Sequence, residues 1–360
     1  MDAAPSFSVR RALLSRLAPM LATLLACLSS PWLRAQQNES RFPMSQIRSA
    51  AAYSAAHGGT AFVAMLHGKV VYEEYAKGGD RDTPHRIYSG TKGFWGLAAL
   101  AAMEDGIIDP DERVSATIHE WRDDPRKSKI TIRQLLQFTC GLERCIMLHE
   151  DGLSNRNAIA ISRPLQADPG KSFIYGPSEL QVFAEVLKRK LAKRRDTPTH
   201  YLENHVLHPL GLGAQRYLPD RSGNPLLAAG FVMTARDWAR IGQVLLHNGR
   251  PVIKPESMTL LRRGSSANAS FGFGFWNNSN ASHRSATEPD IEKMLEGDWW
   301  KYSWHNVCLC RDAPSDMLAA IGSHFQRLFV SPEHDLVVVR LGGYSKFQDA
   351  VFLRRLFGQK

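Results

Sequence analysis

Residues 85–115 read "HRIYSGTKGFWGLAALAAMEDGIIDPDERVS". A small polar tetrad, Ser89-Gly90-Thr91-Lys92, opens a run of residues with helical apolar spacing. Positions i and i+3 of a helix share a face, so the side chains of Ser89 and Lys92 can meet. A serine hydroxyl is a weak nucleophile until a base takes its proton. A lysine can be that base only when neutral, and burial among apolar groups lowers its pKa. Tyr88, Phe94 and Trp95 supply apolar surroundings. The N–H groups of a helix start favour negative charge developing nearby. The alternative reading makes Ser89 a helix cap and Lys92 a surface charge. The tetrad alone does not exclude that reading.

The surrounding chain sets the context. "TAFVAMLHGKVVYEEYA" (60–76) reads as two strands around a turn at His67-Gly68-Lys69. "DMLAAI", "QRLFVS" and "DLVVVRLGG" near the C-terminus read as further strands, with a turn at Ser331–Asp335. Between them, "TIRQLLQF", "SELQVFAEVLKRKLAKR" and "TARDWARIGQVLLHNG" have helical spacing. Ser178 and Thr234 are good helix-start residues and Gly249 a good stop. "SFGFGFW" (270–276) reads as a strand, followed by a loop that carries Trp299, Trp300 and Trp304. Strands need partners, so the two chain ends are expected to join in one antiparallel sheet flanked by helices.

The chain has 360 residues, 44% hydrophobic and 22% charged, with a formal net charge of +10. This suits one large globular domain or two intimate lobes. The basic run "KRKLAKRR" (188–195) closes a helix, where cations suit the dipole, and no nucleic-acid motif accompanies it. At the N-terminus, Arg10, Arg11 and Arg16 precede the apolar "LAPMLATLLACL" and then "SSPWLRAQQ". This is the layout of an export signal, with residues 1–35 removed and 36–360 forming the domain. Periplasmic or secreted localisation is expected. "LLAC" also resembles a lipoprotein processing box, so membrane attachment is expected only if Cys27 carries lipid. Cys140, Cys145, Cys308 and Cys310 have poor zinc spacing and read as disulfides or buried thiols; no metal or other cofactor is expected.

Several blocks, in order, resemble the serine β-lactamase and penicillin-binding protein superfamily, in its class C-like branch of esterases and 6-aminohexanoate-dimer hydrolases. They are the quoted stretch, "ITIRQLLQFTCGL" (130–142), "DPGKSFIYGPSELQVFAEVLKRKL" (168–191) and "AAGFVMTARDWARIGQVLLHNG" (228–249). Cys140 stands where serine is commoner in that family. The resemblance implies an α/β fold of the α+β type. Its antiparallel sheet lobe would comprise about 45–88 and 265–355, and its central helical lobe about 89–264.

The resemblance also implies roles: Ser89 as nucleophile, Lys92 as its base and Tyr175 as second acid/base group. Pro177, where the family has a polar residue after the tyrosine, offers no side-chain hydrogen bond, so Ser178 either stands in for that residue or only caps the next helix. The third motif, usually Lys or His, then Thr or Ser, then Gly, is replaced within "AAIGSHFQRLFVSP". There Ser323 and His324 are the polar candidates, of which strand alternation admits only one to the cleft. The N–H of Gln326 is the expected second oxyanion donor beside that of Ser89. Arg327 reads either as a carboxylate binder or as a solvated strand residue. The implied activity is a serine hydrolase acting on a small-molecule ester, amide or peptide. The rivals are a D-Ala peptidase or β-lactam-hydrolysing enzyme, and an inactive ligand- or wall-binding module.

Overall fold

The structure, a computed structural model, describes residues 42–343 and 346–359. The expected leader and Cys27 lie outside them. Eight strands form in chain order: β1 Gly59–Leu66, β2 Lys69–Tyr75, β3 His85–Arg86, β4 Val232–Met233, β5 Trp276–Asn277, β6 Leu318–Gly322, β7 Gln326–Ser331 and β8 Leu336–Gly342. The α-helices are α1 Met44–Ala56, α2 Thr91–Glu104, α3 Ile132–Leu136, α4 Arg156–Ser162, α5 Ser178–Ala192, α6 Pro198–Leu202, α7 Ala235–Leu246, α8 Met258–Arg262, α9 Ile291–Glu296 and α10 Asp349–Phe357.

Six strands pair antiparallel in the order β2-β1-β8-β7-β6-β5, so the two chain ends meet in one sheet. The β-branched run "LVVV" of β8 sits centrally and is buried, whereas β2 lies at an edge and exposes Val70 and Val71. Strand alternation sends neighbouring residues to opposite faces. Phe329 and Phe62 meet Phe352 of α10, at 5.6 and 6.2 Å between ring centroids. Val337, one register step away from Val338, instead abuts Gly242 of α7. Helices therefore cover both faces, and from Met44 onward the chain forms a single compact unit.

Two elements differ from expectation. Helix α7, assigned by sequence to the central helical lobe, packs on β1, β7 and β8 instead. Its one-sided apolar face (Trp238, Ile241, Val244 and Leu245 are all buried) needs the sheet to cover it. The "SFGFGFW" segment is a strand only at Trp276–Asn277. Phe273, Gly274 and Phe275 instead lie along α2, where a Cβ on Gly96 would strike the Phe273 carbonyl. That close approach explains small residues inside an otherwise bulky helix. Helix α2 is buried on every side from Thr91 to Ala102, as a central helix must be.

Candidate active site

The small sheet β3–β4 places the nucleophile helix. Arg86 pairs with Val232, and the Ile87 N–H donates to the Phe231 carbonyl at 3.1 Å. Tyr88 follows in the left-handed region, φ 47°, a strained conformation for a residue with a side chain. Ser89 lies in a 3₁₀ turn, Tyr88–Gly90, and α2 begins at Thr91 with Gly90 as its cap and no side-chain cap bond. The Ser89 hydroxyl is therefore not engaged as a helix cap, and Lys92 is not a surface charge. Lys92 is 2% exposed.

Lys92 Nζ donates to Ser89 Oγ at 2.8 Å and to the Ala228 carbonyl at 2.9 Å, and it lies 4.6 Å above the centroid of the Tyr175 ring. No carboxylate comes within ion-pair distance of it among the described residues. Burial pushes its pKa down to about 7, against the opposing pull of Glu179, with Arg144 adding to the depression. The Ser89 hydroxyl lies close enough to the Tyr175 phenol to pull its pKa down. Burial drives its pKa up, outweighing Ser89 and the cations Arg144 and Arg327, so the phenol is neutral at rest. Phe138 stacks on its ring, and Phe173, Phe271, Trp276 and Trp304 close the cluster. Trp304 thus packs in the core, while Trp299 donates to Gln166 and Trp300 is exposed; none of the three lines the cavity.

Ser89, Lys92 and Tyr175 share a cavity of about 410 Å³, within the usual range for small-molecule sites. Ser323 and His324 both line it, although alternation was expected to admit one. The reason is that β6 ends at Gly322, and His324 and Phe325 turn in left-handed conformations, φ 59° and 60°. Glu292 holds that turn: its carboxylate accepts from the His324 N–H at 2.6 Å and the Phe325 N–H at 3.1 Å. The His324 ring packs on Tyr88, 5.0 Å between centroids.

Gln326 and Ser178 do not reach the cavity. Gln326 is on β7, and its buried side chain donates to the His324 and Gly342 carbonyls and accepts from the Gly342 N–H. Ser178 is fully buried; its hydroxyl donates to the Glu143 carbonyl at 2.6 Å and accepts from the Cys145 N–H at 3.1 Å. It is not the cap of α5 either, since that position is Pro177. Arg327 is neither solvated nor open to a ligand. It is completely buried and paired with Asp349 at 2.7 Å and Glu292 at 3.0 Å. The four cysteines among the described residues are buried and unpaired.

Residues the sequence did not single out complete the site. Arg144, Ile146 and His149 form one wall. Buried Arg156 fixes that loop by donating to the carbonyls of Leu148 at 2.7 Å and Glu150 at 3.1 Å. Glu179 is fully buried behind Lys92, beside the Cys140 thiol, and neither carboxyl oxygen has a hydrogen-bond partner of ordinary geometry. Burial raises its pKa to about 8, against its own N–H, Lys92 and Arg144. The signal for Glu179 in the sequence was a charge inside "ELQVFAEVL", which reads equally as a helix-start acid. For the described residues, Glu288, Cys310 and Asp312 cluster closely enough to hold a metal, but Arg354 already pairs with both carboxylates.

A beta-lactamase family model matches residues 46–344. Monacolin J acid methylbutanoyltransferase of Aspergillus terreus is 30% identical over 158 residues, a match spanning 36% of this chain and only 37% of that relative. Among solved structures, EstCE1, a hydrolase with promiscuous acyltransferase activity, superimposes with a TM-score of 0.64 at 19% identity, covering 88% of this chain and 97% of that one. A family VIII carboxylesterase gives 0.60 at 16% identity, covering 87% and 96%. These two likenesses describe the fold.

Proposed function

Because the chain belongs to the beta-lactamase family, we propose that it is a serine hydrolase that cleaves an ester or amide through an acyl-enzyme on Ser89. The observation that carries this reading is the 2.8 Å contact between Ser89 Oγ and a buried lysine whose pKa lies near 7. In its neutral form Lys92 accepts that hydrogen bond, takes the serine proton and leaves Oγ to attack the substrate carbonyl carbon. The N–H of Ser89 and that of Ser323, the turn residue at the cavity, hold the oxyanion. Ser323 takes the role for which Gln326 was the expectation.

Tyr175, neutral at rest, gives its proton to the departing oxygen or nitrogen and is reprotonated from Lys92. Water then attacks the acyl carbon, losing a proton to the same pair, which returns it to Ser89 Oγ as the ester bond breaks and the carboxylic acid leaves. The names of the Aspergillus relative and of EstCE1 both include acyl transfer. An alcohol in place of water at this step would give transfer in place of hydrolysis. The test is intact-mass spectrometry after incubation with activated esters, amides and penicillins. An acyl mass gained on the Ser89 peptide, absent in Ser89→Ala, is expected. Turnover of esters by Ser89→Ala at the wild-type rate would refute the reading, and absence of acylation by every probe would favour a binding module.

A further inference from the structure

We propose that Glu292 is a positioning residue for acyl transfer: its carboxylate fills the concavity made by the His324 and Phe325 N–H groups and so aims the Ser323 N–H at the oxyanion. The inference rests on the hydrolase reading above for the oxyanion; the seat of the carboxylate stands on its own geometry.

Ser323, His324 and Phe325 join β6 to β7. The last two are both left-handed, a combination that tight turns usually give to Gly, Asn or Asp. A histidine and a phenylalanine held there are strained, so groups outside the loop must hold them. Successive N–H groups of such a turn converge on an anion. Glu292 supplies it. Oε1 accepts from the His324 N–H at 2.6 Å, and Oε2 accepts from the Phe325 N–H at 3.1 Å and from Arg327 Nη2 at 3.0 Å. The carbonyls of the turn are held from the other side. Arg340 Nη1 donates to that of Phe325 at 2.7 Å, Gln326 Nε2 to that of His324 at 2.9 Å, and Arg327 Nη1 to that of Gly322 at 2.9 Å. Of the three loop N–H groups, only that of Ser323 has no partner among the described residues, and Ser323 lines the cavity.

The turn is pressed against the nucleophile segment. A Cβ on Gly322 would strike the Ile87 carbonyl, and the His324 ring packs on Tyr88, the residue before Ser89. A turn that relaxes therefore moves the Ser323 N–H relative to Ser89. Glu292 belongs to α9 and not to the sheet, so the oxyanion donor is held by an element from outside its own hairpin. Asp349 provides the comparison. It pairs with the same Arg327 at 2.7 Å but takes no N–H of the turn among the described residues. Loss of either carboxylate weakens the Arg327 network; only loss of Glu292 uncaps the turn.

The experiment compares wild type, Glu292→Gln and Asp349→Asn. It measures kcat and KM for 4-nitrophenyl butyrate, affinity for phenylboronic acid and for benzamide, and the unfolding midpoint. Boron accepts an electron pair from Ser89 Oγ and sets an oxygen where the oxyanion sits, whereas benzamide stays neutral and trigonal. Glu292→Gln is expected to lose about tenfold to a hundredfold in kcat, short of the 10²–10³ that outright removal of an oxyanion donor costs. Phenylboronic acid affinity is expected to fall in parallel, while KM and benzamide affinity stay within about twofold, because the lost interaction belongs to the transition state. Both variants take one carboxylate from Arg327, so both are expected to lower the midpoint, but Asp349→Asn is expected to keep kcat within about threefold of wild type. Should Glu292→Gln not fold, Glu292→Asp, which keeps the charge and shortens the reach, is expected to show the same split. A wild-type kcat in the Glu292 variant, or an equal loss of kcat in both variants, overturns the proposal. Wild-type protein that turns over no ester, with phenylboronic acid binding that still depends on Glu292, instead overturns the hydrolase reading and leaves the positioning role standing; protein that neither turns over esters nor binds phenylboronic acid overturns both.

Discussion

Lys92 at the start of α2 and Arg327 on β7 are both buried cations within the walls of one site, yet their surroundings treat them oppositely. Arg327 is ringed by Asp349 and Glu292 and by the carbonyls of Gly322 and Gln326, so its charge is kept and every donor direction is used. Lys92 meets a hydroxyl and one carbonyl, with the Tyr175 ring below, and its charge is unstable there. Equal burial thus produces an architectural cation in one place and a titrating base in the other. The deciding factor is the presence or absence of a carboxylate within bonding reach. The Arg327 network anchors the turn that carries Ser323 and His324, while Lys92 is left free to exchange a proton with Ser89.

The contrast breaks most visibly if charge alone is preserved at position 92. Lys92→Arg keeps a cation but forfeits a neutral base, because a guanidinium does not deprotonate in proteins. It is expected to lose about 10²–10⁴-fold in kcat/KM on an activated ester; near-wild-type turnover would show that Lys92 acts as a charge and not as a base. On the other side, Arg327→Met leaves two carboxylates facing each other without a cation. A loss of about 3–5 kcal/mol is expected in denaturant unfolding. Replacing all three, as Arg327→Met with Glu292→Gln and Asp349→Leu, is expected to restore part of that loss. Stability unmoved by Arg327→Met would remove the architectural half of the comparison.

Proton exchange at Lys92 has its own signature. The base must be neutral, so kcat/KM is expected to fall as pH drops through about 7. Glu179, whose own pKa is lifted to about 8, is largely uncharged where that limb falls, so Glu179→Gln, which keeps a neutral side chain there, is expected to leave the limb near pH 7. A limb displaced to lower pH in that variant would mean that Glu179 is ionised beside Lys92 and favours its ammonium form.

Legibility in the sequence followed the range of the interactions involved. The strands around His67-Gly68, the β-branched run of β8 and the Thr234 cap of α7, which accepts from the Asp237 N–H at 3.0 Å, depend on neighbours a few residues away and were readable. Ser89 and Lys92 stand one helical turn apart, so their meeting was readable too. Arg327 was not, because its partners Glu292 and Asp349 lie 35 and 22 residues away and only the folded sheet brings them together. Arg144 and Glu179 had no legible role for the same reason: a place in the cavity wall and a carboxyl shut from water are properties of the packed cavity. The alternation rule failed at Ser323 and His324 because it holds within a strand, and the strand had already ended.

Ser178 tests the smallest contrast, between a hydroxyl that faces the cavity and one that merely supports its wall. Its oxygen joins the Glu143 carbonyl to the Cys145 N–H, and so ties the first turn of α5 to the loop that carries Arg144. Ser178→Ala leaves that carbonyl and that N–H buried without their partner, which costs about 1–3 kcal/mol. The expected outcome is therefore a lower midpoint of unfolding. If the loop loosens as well, KM rises too, because Arg144, Ile146 and His149 on the same segment line the cavity. A variant with unaltered stability but a raised KM would instead put the Ser178 hydroxyl on the substrate, against the direction in which its two hydrogen bonds point.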